Sequence, residues 1–338
     1  MKQIAKDPPK DPGTLPSIWR LEPSFLPRRL IPGLLFGFLV LLGLLLMGDL
    51  RQVGGQFLTF RWSLYPLVLG LTAFNYALRF VKWHFYLGQV GVRDFPVSES
   101  ARLFVSGFPL AVTPGKVGEA LKGLWLNRKT GTSTGRGISV VVAERISDGL
   151  AVLALSTVGV FAYPRFWPGF AFVLAVLLAV IVISQIRPLA LSMIRIGERL
   201  PPLRRFVPGI LEFYEGSFAL FRPGATLIAV SLGAISWLGE GIGMYVILLG
   251  LGVEPGLQAL SIAVFVLSFS TVIGAVSALP GGLGAAEASI AGMLVLLLGL
   301  HSDTAAAATL LIRFATLWFG VSLGLFAWLF SKDLMGLS

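Results

Sequence analysis

Long apolar runs, broken by short polar or Gly-Pro segments, make up nearly all of this chain after residue 29. A helix needs about 20 predominantly apolar residues to cross roughly 30 Å of hydrocarbon. Spans are predicted over Leu30 to Met47, Leu64 to Leu87, Ile138 to Ala162, Gly169 to Ile186, Ala225 to Gly250 and Ala305 to Phe330. Two further apolar stretches, Ala101 to Val112 and Leu257 to Ala278, run directly into Pro-Gly motifs. The first is too short to cross as a straight helix and reads as a re-entrant or half-helix. The second is longer and reads as re-entrant through the motif it shares with the first. Irregular backbone at membrane depth is tolerated only where it is buried in protein or lines a wet cavity, so both loops are expected to face an interior. The pattern predicts an all-α polytopic membrane protein with about six full spans and two re-entrant or broken helices.

Composition agrees with a bilayer as solvent: 55% of residues are hydrophobic, 13% are charged and the mean hydropathy is +0.83. Residues 1–29 are rich in proline and charge and lack the early apolar core of a cleaved signal, which predicts a mobile cytoplasmic tail. Between Arg187 and Arg222, basic residues interleave with Leu200, Leu203, Phe206, Ile210, Leu211, Phe213, Phe218 and Phe221. Residues 187–222 therefore read as an interfacial amphipathic segment. It joins an N-terminal membrane half (30–186) to a C-terminal one (223–331), with 332–338 as a short cytoplasmic tail. The absence of cysteine excludes disulfides and thiolate metal sites.

Lysine and arginine fall mainly in the N-terminal tail, in Arg93 to Arg136, in Arg187 to Arg222 and at the C-terminus, whereas Arg51, Arg61 and Arg165 lie on the opposite side. The asymmetry predicts a plasma or inner membrane protein with both termini cytoplasmic. The same topology has the first Pro-Gly loop entering from the cytoplasm and the second from outside, as inverted repeats do. The net charge of +10 does not imply nucleic acid, because the basic residues flank spans and no nucleic-acid motif accompanies them. A basic cytoplasmic face attracts anionic lipid headgroups, at about 1 kcal/mol per residue near the surface.

One motif occurs twice. Pro114-Gly115-Lys116-Val117-Gly118-Glu119 returns as Pro280-Gly281-Gly282-Leu283-Gly284 with Glu287 behind it, and in each copy the acid precedes an arginine by 26 residues: Glu119 to Arg145, and Glu287 to Arg313. A single Pro-Gly pair marks only a turn or kink. Two copies with equal spacing suggest a transporter built from repeats. Glycines let backbone amides of Gly115, Gly118, Gly281 and Gly284 point into a cavity. Helices starting after each motif would present free N–H groups to a phosphate, and arginine adds a planar fork.

The apolar spans also carry Arg79, Lys82, Arg145 and Arg313 against Glu144, Asp148, Glu240 and Glu287, a sum of zero. Balance of this kind predicts pairing in a shared interior, since an unpaired ion would cost at least about 2.5–3.5 kcal/mol. Glu144, Arg145 and Asp148 cluster on one side of their helix, and Asn75, Arg79 and Lys82 form a stripe on another. The simpler reading is that these groups only lock the bundle. Gly239-x-x-x-Gly243 and Gly320-x-x-x-Gly324 permit close helix packing within the monomer or between copies, which leaves a homodimer open. Aromatic residues near span ends, Trp19, Trp62, Tyr65, Trp83, Tyr163 and Trp167 among them, read as interfacial anchors.

Val112 to Ala120, then Glu144-Arg145-Ile146-Ser147-Asp148, then Leu279 to Gly284, resemble the flippase-like membrane family that includes the transmembrane domain of lysylphosphatidylglycerol synthase, also called multiple peptide resistance factor. The resemblance covers roughly Leu30 to Phe330. It implies translocation of a phosphate-containing lipid: aminoacyl-phosphatidylglycerol, another phospholipid or a polyprenyl-phosphate-linked lipid. Only eight residues follow Phe330, so no appended aminoacyl-transfer domain is expected and the lipid would be made elsewhere. On this reading Arg145 and Arg313 hold the phosphate, with Lys116 at the cytoplasmic mouth. Glu119, Glu287 and Asp148 pair with the arginines when the site is empty, and Glu144, Arg79 and Glu240 complete the ion set. Neither cofactor nor metal is expected. The competing reading is an integral-membrane transferase acting on a polyprenyl-linked or lipid substrate; a scaffold for partner enzymes is a third. Against the transferase, the chain has only His84 and His301 and no His or Cys cluster.

Overall fold

The computed structural model describes residues 50–162, 167–199, 204, 206–331 and 333, with positions 31–33, 35, 37, 39, 40 and 43. The tail 1–29 with Trp19, most of the first predicted span, Tyr163, Arg165 and most of 332–338 lie outside them.

Among the described residues the regular structure is all helical, with no strand. In chain order the helices are α1 (Leu50–Thr59), α2 (Tyr65–Gln89), α3 (Val97–Ser106), α4 (Leu121–Thr130), α5 (Thr134–Ala162), α6 (Trp167–Gln185), α7 (Arg187–Arg199), α8 (Val207–Leu220), α9 (Pro223–Gly250), α10 (Leu257–Val276), α11 (Ala285–Leu298), α12 (Ser302–Arg313) and α13 (Phe319–Leu329). Short 3-10 turns fill Phe108–Val112, Pro114–Ala120 and Pro280–Gly282, and one π-helical turn, Phe314–Trp318, joins α12 to α13.

Among the described residues, six helical segments are long and apolar enough to cross a membrane: Trp62–Gln89, Trp167–Gln185, Pro223–Gly250, Leu257–Val276, Pro280–Leu298 and Ser302–Leu329. The protein is thus a multi-pass membrane protein. Four of the six agree with the predicted spans; α5, at 29 residues, covers a fifth predicted span. The second Pro-Gly stretch differs from expectation. Where a re-entrant stretch was expected, Leu257–Val276 is by itself of spanning length at 20 residues, and the Pro-Gly turn opens a second such segment of 19. The first loop does join short pieces, since α3 and α4 have 10 residues each and so reach about 15 Å.

The two largest apolar clusters among the described residues hold most of the bundle. One gathers Val68 of α2, Met244 to Leu248 of α9, Phe265 to Leu267 of α10, Ile290 and Leu294 of α11, and Leu311 and Ile312 of α12. The other gathers Trp83, Tyr86 and Leu87 of α2, Phe104 of α3, Trp125 and Leu126 of α4, and Val140 to Ala143 of α5. Along α2 the sequence runs from Val68 through Asn75, Arg79 and Lys82 to Trp83. Along α9 it runs from Ala229 of the second cluster through Glu240 to Met244 of the first. A polar layer therefore lies between two apolar ones, about midway along the helices.

Small residues set the helix separations. A Cβ on Gly324 would stand 2.2 Å from Pro109 Cδ, and one on Gly320 would stand 2.5 Å from the Tyr76 hydroxyl. Gly239 and Gly243 face Phe74 and Val68 of α2. Both small-x-x-x-small motifs are thus used inside one chain. The end of α13 is tied to α3 by Trp328 Nε1 donating to Ser106 O at 2.7 Å and by Arg102, which binds Glu99 at 2.5 Å and Asp333 at 2.9 Å.

The joining segment forms two helices with different fates. α7 exposes Leu189, Met193 and Ile196, the apolar face expected of an interfacial helix. α8 instead packs on α5 and buries Tyr214, Ser217 and Leu220.

Candidate functional site

The two Pro-Gly motifs fold alike. In the first, Thr113 is extended (φ −79, ψ 150), followed after Pro114 by left-handed Gly115 (φ 58) and Lys116 (φ 56). In the second, Leu279 is extended (φ −67, ψ 152), followed after Pro280 by left-handed Gly281 (φ 62) and Gly282 (φ 69). Glycine adopts this region freely, whereas a residue with a Cβ does so at a cost. Lys116 accepts that cost, and so does Ala278 (φ 53), which precedes the second motif. The two strained regions meet: Gly115 N–H donates to Ala278 O at 2.9 Å, so the loops are joined directly.

The acid and arginine of each motif, 26 residues apart, also meet. Arg145 Nε lies 3.0 Å from Glu119 Oε2, and Arg313 Nε lies 2.5 Å from Glu287 Oε1. Both acids are buried, Glu119 at 5% and Glu287 at 0% side-chain exposure. The grips differ. Arg313 donates an aligned hydrogen bond to Glu287 and a second to Gly281 O at 3.2 Å. Arg145 Nε makes an ion pair without hydrogen-bond alignment, and its side chain is 29% exposed against 13% for Arg313. Arg145 is the looser of the two. The π-helical turn directly after Arg313 breaks the helical register at that point, as such turns do near functional sites.

A polar network continues from α5. Asp148 binds Lys82 and lies 3.5 Å from Arg79 Nε and 3.9 Å from Arg145 Nη1. Glu144 accepts from Lys122 at 2.6 Å, and Lys122 Nζ also stands 4.4 Å from the Trp83 ring centroid and 5.3 Å from that of Phe104. Sequence reasoning placed Lys122 with the cytoplasmic basic residues. Its side chain is 4% exposed and its charge is committed to Glu144. No local spacing signals this pairing, because Glu144 lies 22 residues away on the next helix.

A cavity of about 140 Å³ collects these groups. Lys116, Glu119, Lys122, Arg145, Arg79, Glu240 and Arg313 all line it, together with Tyr76, Trp237, Thr271, Thr316, Gly281 and Gly282. Tyr76 donates to Thr316 O across the cavity wall, and the Arg79 guanidinium lies 6.0 Å from the Trp237 ring. Tyr76, Trp237, Thr271 and Thr316 were not foreseen, because each is an ordinary residue of an apolar run until the helices are packed. A larger groove of about 620 Å³ adjoins the cavity between α5, α6 and α10. Its walls are mainly apolar (Ile138, Val142, Phe172, Val176, Val272), and it shares Lys116, Glu119, Arg145 and Trp237 with the cavity. Phe172 and Val176 on its rim are exposed.

The glycines serve differently from expectation. Gly115 N–H goes to Ala278 O, Gly118 N–H goes to Thr113 Oγ1 at 2.9 Å, and Gly284 N–H goes to Glu287 Oε2 at 2.6 Å. These three amides shape the loops and are not offered to a ligand. The arginine and lysine side chains carry the cavity's positive charge.

A family model described as the lysylphosphatidylglycerol synthase TM region matches residues 33–324 of this chain. A UPF0104 membrane protein from Methanothermobacter thermautotrophicus is 27% identical over 308 residues, covering 85% of this chain and 88% of the relative.

Proposed function

The chain belongs to the lysylphosphatidylglycerol synthase transmembrane-region family, and from that membership and the cavity we propose that it is a lipid flippase for a phosphate-containing lipid. One observation carries the reading: the arginines of both repeats, Arg145 and Arg313, face a single polar cavity that adjoins an apolar groove. An amphiphile needs both chambers. Its phosphate takes the arginine forks, with Lys116 at the boundary, while its tails stay in the groove and the surrounding hydrocarbon. Glu119, Glu287 and Asp148 hold the cations when the headgroup is absent, which limits the cost of an empty, charged interior.

The equivalent backbone of the two Pro-Gly loops, and their contact through Gly115 and Ala278, support a pair of inverted repeats, α3 to α5 and α10 to α12, that rock about the shared cavity. The first loop enters from the cytoplasm, both termini are cytoplasmic, and α7 rests on anionic headgroups of the cytoplasmic leaflet of the cell membrane. The reading is tested in proteoliposomes with fluorescent phosphatidylglycerol, lysyl-phosphatidylglycerol and a polyprenyl phosphate. Exchange of one of them between leaflets supports a flippase and names its headgroup class; exchange of none, by folded protein, favours a membrane transferase or scaffold.

A further inference from the structure

Glu240, just past the middle of α9, is 5% exposed and lines the central cavity. Each other carboxylate of the polar layer has a cation at ion-pairing distance: Glu119 has Arg145, Glu144 has Lys122, Asp148 has Arg79, Lys82 and Arg145, and Glu287 has Arg313. Among the described residues Glu240 makes neither an ion pair nor a hydrogen bond. It is the buried acid that the bundle does not use.

The charged and titratable groups around it come from every side. α2 supplies Tyr76 and Arg79, α5 supplies Asp148 and Arg145, and α12 supplies Arg313. α10 brings the Thr271 hydroxyl, the first Pro-Gly loop brings Lys116 and Glu119, and α4 brings Lys122. The turn Trp62–Leu64, also packed on α9, carries no titratable side chain.

An anionic phosphodiester entering this cavity seeks Arg79, Arg145 and Arg313, and meets the Glu240 carboxylate as a like charge in a low-dielectric interior. Protonation removes that opposition and leaves the cations to the phosphate. We propose that Glu240 is the proton site of the cavity, so that one proton from water enters onto its carboxylate as the headgroup binds and leaves as the headgroup departs. The inference rests on the flippase reading and adds its coupling ion. Moving one negative headgroup charge with one proton transfers no net charge, so a pH difference drives exchange and a membrane potential does not.

The test is binding of a short-chain phosphatidylglycerol, whose phosphodiester charge does not titrate near neutrality, to the purified full chain from about pH 5.5 to about pH 8.5. Proton uptake is followed with a pH-sensitive dye. Wild-type affinity is expected to fall about tenfold per pH unit once the carboxyl is ionised, with about one proton taken up per lipid bound. Glu240→Gln is expected to bind at all pH values as the wild type does at its acidic limit, with no proton uptake. An equal pH profile in both proteins, or wild-type binding without proton uptake, overturns the proton site alone. No binding by either protein at any pH overturns the flippase reading with it. Should Glu240→Gln fold poorly, the wild-type proton count still decides.

Discussion

The carboxylate of Glu287 uses both of its oxygens: one takes Arg313 Nε at 2.5 Å, the other takes the Gly284 N–H at 2.6 Å. The start of α11 and the position of the cavity arginine are therefore set by one side chain. Glu287→Ala frees both partners and leaves a largely buried guanidinium without its counter-ion, at a cost of about 3–5 kcal/mol. Glu287→Gln still offers an oxygen to Gly284 and is expected to recover part of that loss. Unfolding in detergent measures both variants; equal destabilisation would contradict the double role.

Lys122 and Glu144 form a closed unit beneath Trp83. Lys122→Met strands a fully buried carboxylate, for a loss of about 3–5 kcal/mol. Replacing both residues, as Lys122→Met with Glu144→Leu, is expected to restore much of it, giving a coupling energy of roughly 2 kcal/mol or more in a double-mutant cycle. Additive effects would show that the pair does not act as a unit.

Lys116 holds a left-handed backbone at φ 56 while lining the cavity. Strain of this kind clusters at functional sites. Lys116→Gly is expected to raise stability by about 1 kcal/mol while slowing lipid exchange. Thermal unfolding and exchange, measured on the same preparation, check the two directions together.

The second Pro-Gly turn packs on α10 through glycine at 282, where φ is +69 and a Cβ would stand 3.0 Å from Gly274 Cα. Gly282→Ala is expected to cost about 1–2 kcal/mol from the backbone alone. Gly324→Ala should cost more, because its Cβ would meet the Pro109 ring at 2.2 Å. Unfolding of both variants checks the ranking, and a loss in Gly282→Ala equal to or larger than that in Gly324→Ala would contradict it.

What the sequence made legible was the arithmetic of the repeats. Equal spacing from acid to arginine announced two ion pairs, and both are present. The spanning character of Pro280–Leu298 was hidden because α11 alone has 14 residues; only with the preceding Pro-Gly turn does the segment reach 19. Lys122 was grouped with the basic residues of the 93–136 stretch, and its partner lies 22 residues away on the next helix. The pairing of Arg79 and Lys82 with Asp148, 66 residues on from Lys82, depends on which helices pack together, and no local pattern reports that. The glycine amides misled for a related reason: a motif shows where backbone N–H groups lie, but not that Thr113, Ala278 and Glu287 already accept from them.

The central claim is that two arginines from two repeats serve one phosphate. It is tested most directly by the leaflet-exchange rate of the accepted lipid in proteoliposomes containing wild-type, Arg145→Ala, Arg313→Ala or doubly substituted protein, each shown to be folded. The account predicts that each single substitution slows exchange by at least about tenfold, the loss expected for one charge-assisted contact of about 1.5–3 kcal/mol, and that the double variant is little worse than the slower single one. Exchange at the wild-type rate in either folded single variant would contradict it.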